Sequence, residues 1–138
     1  MSSYPDITQL LSQAHTIAAV GLSDNPRDET YAVGKYQQSQ GYKVIPVNPQ
    51  IEISLGHKAV DSILTIREHV DVVHVMKESK NVVQTVAEAA QAGAQAIWFE
   101  PGAATPEATM KAQEQGLATI TDKHFRIEHQ KRLGKAPL

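Results

Sequence analysis

Hydrophobic residues are grouped in short runs along the chain, and segments with helical spacing separate one run from the next. The first run, Thr16 to Gly21, shows no polar alternation, which is typical of a strand buried on both faces of a sheet. Comparable runs follow at 43–48, 71–76, 95–99 and 117–121. Strands that alternate with helices predict a three-layer α/β fold with a Rossmann-like, doubly wound and mostly parallel sheet.

The segments between these runs have the spacing of amphipathic helices. The first is predicted at 5–14, where apolar residues recur on one face. Two later helices are expected to begin at capping residues, one at Ser79 and one at Thr105, which Pro106 follows at the first helical position. The remaining helices are expected at about 30–40 and 124–133.

Two segments are less regular. Pro46 lies inside the second predicted strand and is compatible with it only if no neighbouring strand needs its backbone nitrogen. The segment 57–68 is ambiguous, because His57 to Val60 fits a short edge strand and the residues after it fit a short helix capped by Asp61 or Ser62.

Length and composition indicate one ordinary globular domain. The chain has 138 residues, close to the most common domain size of about 100–150, so we assign one domain to 1–138 with its core at 16–132. A net charge of -2 disfavours a nucleic-acid partner, and the apolar runs are too short for a membrane span. The amino-terminal segment lacks the features of a secretion signal, so a cytoplasmic location is expected. Without cysteine, the chain has no thiolate chemistry of its own.

In an open parallel sheet, ligands bind outside the carboxyl ends of the strands. The turn after the first strand contains Gly21, and its Ser23 and Asn25 are suited to donate hydrogen bonds to phosphate oxygens. Arg27 adds a planar positive charge that also suits phosphate. The turn lacks the three-glycine fingerprint of dinucleotide sites.

The end of the second strand points away from NAD. Dinucleotide sites usually place an acidic residue there to hold the ribose hydroxyls, whereas this chain has Asn48 and Pro49. A neutral amide does not repel a phosphorylated ribose, and Pro49 offers an apolar surface to an adenine. An NAD(P)-binding redox or sensor module remains an alternative, because Glu52 follows shortly after.

Four segments together resemble the small stand-alone coenzyme A-binding proteins described as YccU-like: VGLSDNPRDETYAVGKY, GYKVIPVNP, VDVVHVMKES and AIWFEPG. These proteins are similar to the amino-terminal CoA-binding domain of the succinyl-CoA synthetase alpha subunit. The resemblance runs from about residue 8 to 133. Two turns depart from the pattern of the relatives, since Glu100-Pro101-Gly102 replaces a common Gln-x-Gly and Asp122-Lys123-His124 replaces Asp-Arg-Cys.

The resemblance implies a Rossmann-like domain that holds CoA or an acyl-CoA by its nucleotide portion, as a non-catalytic carrier, sensor or accessory module. It implies three groups of binding residues. The pyrophosphate would be surrounded by Gly21, Leu22, Ser23, Arg27 and Tyr31. The ribose and adenine would be bordered by Asn48 and Pro49. The adenine or the pantetheine arm would be flanked by Val75, Met76 and Lys77.

A small acyl-CoA-acting enzyme is the other alternative. Glu100, Asp122 and His124 follow neighbouring strands and are the candidates for an acid-base group beside a thioester. The spacing of His124 and His129 does not fit a metal site, and none is predicted. A homodimer or another protein partner is left open by the sequence.

Overall fold

A parallel five-stranded sheet forms the centre of the molecule. The computed structural model describes residues 6–77 and 79–134. Their strands are β1 (Thr16–Val20), β2 (Lys43–Val47), β3 (Ile53–Ser54), β4 (His57–Lys58), β5 (Val72–Val75), β6 (Ala96–Phe99) and β7 (Ala118–Ile120). The sheet has the order β2-β1-β5-β6-β7, and every neighbouring pair in it is parallel. All five residues of β1 are buried, as their uninterrupted apolar character predicts.

Helices cover both faces of this sheet and confirm the three-layer α/β prediction. They are α1 (Ile7–Gln13), α2 (Glu29–Ser39), α3 (Val82–Gln91), α4 (Pro106–Glu114) and α5 (Phe125–Arg132). One hydrophobic cluster packs α3 and α4 against Ala18, Val73 and Ile97, and a second packs α1 and α5 against Ile17 and Trp98. None of the helices in the described part of the chain has both the length and the apolar character needed to cross a membrane.

Pro46 lies in a regular strand because its missing N–H is not needed by β1. β2 is an edge strand, and the carbonyl of Pro46 accepts a hydrogen bond from Val60 N on the side away from β1. In a parallel ladder the nitrogen and carbonyl of one residue face the same side, so the nitrogen of Pro46 also faces away from β1.

The ambiguous segment after β2 forms less regular structure than either predicted element. His57–Lys58 pairs antiparallel with Ile53–Ser54 in a small hairpin, and Val60 makes a single bridge to Val47. The short helix is a single 3-10 turn, Ile63–Thr65, capped by Ser62 through its hydroxyl oxygen and Leu64 N.

The predicted capping role of Ser79 is wrong, whereas that of Thr105 is confirmed. α3 begins after Asn81, whose backbone is left-handed and whose side chain makes no capping hydrogen bond. Ser79 instead donates its hydroxyl hydrogen to the carbonyl of Val20 over 2.8 Å, so a contact to β1 competes with local capping. Thr105 Oγ1 accepts a hydrogen bond from Ala108 N at the start of α4.

Candidate functional site

A cleft of about 710 Å³ opens at the carboxyl edge of the sheet, where β1 lies between β2 and β5. The strand order reverses here, which is the switch point at which doubly wound sheets bind ligands. The cleft walls come from the turns after β1, β2 and β5, from the 3-10 turn and from one side of α3. Four of the predicted binding residues line it: Gly21, Ser23, Asn48 and Pro49.

Gly21 is required here by the turn that follows β5. Its φ of +88° lies in the region that glycine tolerates best. A Cβ atom added at this position would stand 2.6 Å from Ser79 Oγ, which is itself held by Val20 O. The single glycine therefore allows the turns after β1 and β5 to meet at the base of the cleft.

The turn after Gly21 is shaped by side-chain hydrogen bonds within itself. Ser23 Oγ accepts a hydrogen bond from Asn25 N, and Asn25 Oδ1 accepts one from Arg27 N. Asp28 caps α2 by accepting a hydrogen bond from Thr30 N. These bonds use acceptor atoms, so the hydroxyl hydrogen of Ser23 and the amide hydrogens of Asn25 stay available to donate.

Asn48 connects the turns that follow β1 and β2. Its Nδ2 donates to Leu22 O over 3.1 Å, and its Oδ1 accepts from Gln50 N over 2.9 Å. Because both ends of the amide are engaged, Asn48 fixes the shape of this wall of the cleft.

The remaining predicted binding residues lie outside the cleft lining, in two groups. The side chains of Leu22, Val75 and Met76 are buried in the core, with 0%, 0% and 1% of their surface exposed, so only their backbone atoms can meet a ligand. The other group, Asn25, Arg27, Tyr31 and Lys77, is exposed or half-buried near the same edge.

Sequence reasoning missed the wall that α3 contributes. Lys80, Asn81 and Gln84 line the cleft, and so do Asp61 and Glu88. No local pattern marks them, because their place in the cleft depends on how α3 and the 3-10 turn pack against the sheet.

A second polar group lies at the ends of β5 and β6, where Glu100 is 8% exposed. Its Oε2 accepts hydrogen bonds from His74 Nε2 and from Phe125 N, each over 2.9 Å. The other ring nitrogen of His74, Nδ1, lies 2.9 Å from Gln37 Nε2. His124 Nδ1 approaches Glu100 Oε1 to 3.4 Å from the surface.

Hydrogen bonding outweighs burial in the ionisation of Glu100. Burial raises the pKa of this carboxyl group, but the hydrogen bond and charge of His74, the Phe125 N–H and the charge of His124 together lower the pKa below its ordinary value. Of the three predicted acid-base candidates, Glu100 and His124 meet. Asp122 is exposed on a left-handed backbone (φ +61°), and no ion pair within 6–77 and 79–134 joins it to the other two. Over the same described ranges, no three His, Asp or Glu side chains are grouped so as to hold a metal ion.

The sheet order and the cleft at the switch point define a doubly wound α/β domain with a cleft in the position where this class binds its ligands. Residues 15–130 match the family model described as a CoA binding domain, and the chain therefore belongs to the CoA-binding domain family.

Three relatives illustrate this membership. The chain is 35% identical over 127 residues to the uncharacterized protein YneT of Bacillus subtilis, covering 92% of this chain and 94% of that one. A hypothetical protein from Pyrococcus horikoshii is 34% identical with a TM-score of 0.90, covering 97% of this chain and 94% of that one. The alpha subunit of an ADP-forming acetate–CoA ligase II from Pyrococcus furiosus is 35% identical over 82 residues, which are 59% of this chain and 18% of the subunit.

Proposed function

We propose that the chain binds coenzyme A or an acyl-CoA through its nucleotide portion, as a non-catalytic carrier, sensor or accessory module. The observation that carries the proposal is the cleft at the β1–β5 switch point in a chain whose residues 15–130 match the CoA binding domain. The match to a subunit named for acetate–CoA ligation supports the same ligand class.

In this proposal the pyrophosphate lies at the end of the cleft between Gly21 and Lys80. Gly21 has no side chain to block a close approach, Ser23 retains a donor hydrogen, and Lys80 at the rim adds a positive charge. Arg27, Tyr31 and the Leu22 backbone complete this group, as the family resemblance implies.

The adenosine lies at the other end of the cleft, against the turn that follows β2. Pro49 and Ile51 offer apolar surface there, and Asn48 is neutral where NAD-binding domains carry a carboxylate. Asp61 lies beside the same turn, because Val60 before it is hydrogen-bonded to Asn48, and its carboxylate suits the hydrogen-bond donors of the adenine or ribose. Val75, Met76 and Lys77 flank the path of the ligand toward β6.

Calorimetric and thermal titration with CoA, acetyl-CoA, NAD and NADP tests the proposal. A ligand at a hundred times its dissociation constant stabilises the fold by about 2.7 kcal/mol, so CoA should raise the melting temperature clearly while NAD leaves it almost unchanged. Strong stabilisation by NAD and none by CoA would contradict the proposal.

A pair of lysine variants places the phosphates. Lys80→Ala removes the positive charge at the rim of the cleft and should weaken CoA a few-fold, the magnitude expected of an exposed charge pair of about 0.2–1 kcal/mol. Lys58→Ala removes a charge from β4 that is also exposed but lies outside the cleft lining, and should leave the affinity unchanged. Equal losses in both variants would indicate general attraction to an anion in place of a defined site.

Arg27 distinguishes the two phosphate groups of CoA. Arg27→Ala should weaken CoA more than dephospho-CoA if Arg27 contacts the ribose phosphate, and both equally if it contacts the pyrophosphate. An unchanged affinity for both ligands would remove Arg27 from the site.

A further inference from the structure

The turns that follow β1, β5, β6 and β7 adjoin one another and form a continuous surface that begins at the cleft. Ser79 lies against Gly21, as the 2.6 Å approach to an added Cβ shows. The Lys77 side chain lies across Gly102, with Cγ and Cε 3.5 Å from the position of an added Cβ. Two residues before Gly102, the carboxylate of Glu100 meets His124 at 3.4 Å.

The distance along this surface matches the length of the pantetheine arm. β7 is three strands away from β1, which corresponds to about 14–15 Å at the usual spacing between strands. The arm of CoA has about as many backbone bonds as a four-residue extended peptide, roughly 14 Å. A CoA molecule whose pyrophosphate lies at Gly21, and whose arm extends along these turns, can therefore place its sulfur near His124.

His124 has the geometry of an oriented general base. Its side chain is 52% exposed, and Nδ1 faces the carboxylate of Glu100, which leaves Nε2 directed away from that carboxylate. Glu100 cannot turn easily, because its other oxygen is held by His74 Nε2 and Phe125 N. A fixed carboxylate behind a histidine orients the ring and stabilises the imidazolium that forms when Nε2 takes up a proton.

We propose that His124, positioned by Glu100, accepts the proton of the CoA thiol, so that the bound cofactor is held with a reactive sulfur. This inference rests on the proposed function and deepens it. The S–H proton passes to His124 Nε2, which leaves a thiolate on CoA and an imidazolium whose Nδ1–H faces Glu100. The thiolate is the form of a thiol that accepts an acyl group.

The charges around His124 favour this proton transfer. Glu100, from the turn after β6, is the ionisable group that contacts His124 within the described residues, and His74 of β5 lies behind it. Asp122 and Lys123 are its neighbours on its own segment and carry opposite charges.

An ultraviolet titration of bound CoA measures the effect directly, because thiolate and thiol differ in absorbance. The chain has no cysteine, so no thiol of the protein contributes, and the acetyl-CoA complex is the thiol-free blank that removes the ionisation of the tyrosines from the signal. A cysteine thiol titrates near pH ~8.5, and the simpler alkyl thiol of CoA titrates above this value. A midpoint lowered by one pH unit would raise the thiolate fraction at pH 7 about eight- to tenfold, and we expect a shift of at least one unit.

Three variants separate the proposed pair from general electrostatics. His124→Gln should return the midpoint to that of free CoA; the His124 side chain makes no capping hydrogen bond to α5, so the substitution removes no helix cap. Glu100→Gln should remove at least half of the shift. His69→Gln is the matched control, since His69 also lies 3.4 Å from a carboxylate, that of Asp71, but precedes β5 at the opposite edge of the sheet. It should keep the wild-type midpoint.

The inference is overturned if bound CoA titrates like free CoA, if His124→Gln leaves the midpoint unchanged, or if His69→Gln moves it as far as His124→Gln does. Calorimetry on the same samples separates this failure from that of the proposed function. If the wild type does not bind CoA, both the proposed function and this inference are overturned. If it binds CoA but the thiol titrates as in free CoA, only this inference is overturned.

Discussion

Replacing Gly21 with alanine tests whether the contact between the turns after β1 and β5 shapes the cleft. The substitution adds a single methyl group at a backbone φ of +88°. That group would stand 2.6 Å from Ser79 Oγ, closer than the two atoms can remain, so the Ser79 hydroxyl must leave its position. We expect the variant to lose both stability and affinity for CoA.

The loss of stability has two parts. A left-handed backbone costs a non-glycine residue about 1–2 kcal/mol. Displacing Ser79 also breaks its hydrogen bond to Val20 O, which contributes about 1 kcal/mol. The free energy of unfolding should therefore fall by about 2–3 kcal/mol.

Urea unfolding measures this value, and two other glycines provide the control. Gly41 and Gly93 have φ values of +99° and +77°, and nothing lies within 4 Å of an added Cβ at either position. Alanine at these sites should lower the free energy of unfolding only by the cost of the left-handed backbone, about 1–2 kcal/mol. Ser79→Ala should cost about 1 kcal/mol, and adding it to Gly21→Ala should cost almost nothing further, because the hydrogen bond is already lost.

Two results would refute this reasoning. One is a Gly21→Ala variant no less stable than Gly41→Ala and Gly93→Ala. The other is full additivity of Gly21→Ala and Ser79→Ala, which would show that the two residues do not interact.

Three further predictions concern the rest of the fold. Thr105→Ala should lower the free energy of unfolding by about 1 kcal/mol in a urea titration, since Thr105 Oγ1 caps α4; an unchanged midpoint would contradict the cap. The pKa of Glu100 is lowered in the folded chain, so its contribution to stability is present above the ordinary carboxyl pKa and is lost as the pH falls through the lowered value. Glu100→Gln should therefore flatten the loss of stability in acid, and a profile parallel to the wild type would exclude this role. Burial lowers the pKa of His129, whose Nδ1 lies 2.8 Å from the Tyr36 hydroxyl. Below about pH 6.5 the unfolded chain therefore binds a proton more readily than the folded chain does, and the folded chain loses stability. His129→Gln should remove the part of this loss of stability that begins below about pH 6.5, and a persisting loss would assign it to another group.

The sequence predicts the layers of the fold well, because the burial of a strand or helix is visible in the residue types of that element itself. The uninterrupted apolar run of β1 indicates a strand covered on both faces, and Thr105 with Pro106 marks the start of α4. The family resemblance likewise places the ligand end of the sheet at Gly21 and Asn48, both of which line the cleft.

Contacts between residues that are distant in the chain have no such local pattern in the sequence. Ser79 has the residue type of a helix cap, but its hydroxyl hydrogen is donated to Val20 O, a residue far away in the chain. Glu100, Asp122 and His124 were predicted to share one edge, and only the folded chain shows that Glu100 meets His124 while Asp122 turns outward on a left-handed backbone. The role of α3 in the cleft also depends on the packing of the crossover helix, which no local pattern specifies.

Amide chemical-shift mapping of the isotope-labelled chain during titration with CoA tests the central claim most directly. We expect the largest shifts at the cleft residues Gly21, Ser23, Gln50 and Asn81, and almost none at Asp71 before β5. ADP should reproduce these shifts, while the additional shifts caused by the full cofactor should extend toward His124. Saturable shifts located elsewhere, or none at all with CoA, would contradict a nucleotide site at the switch point of this sheet.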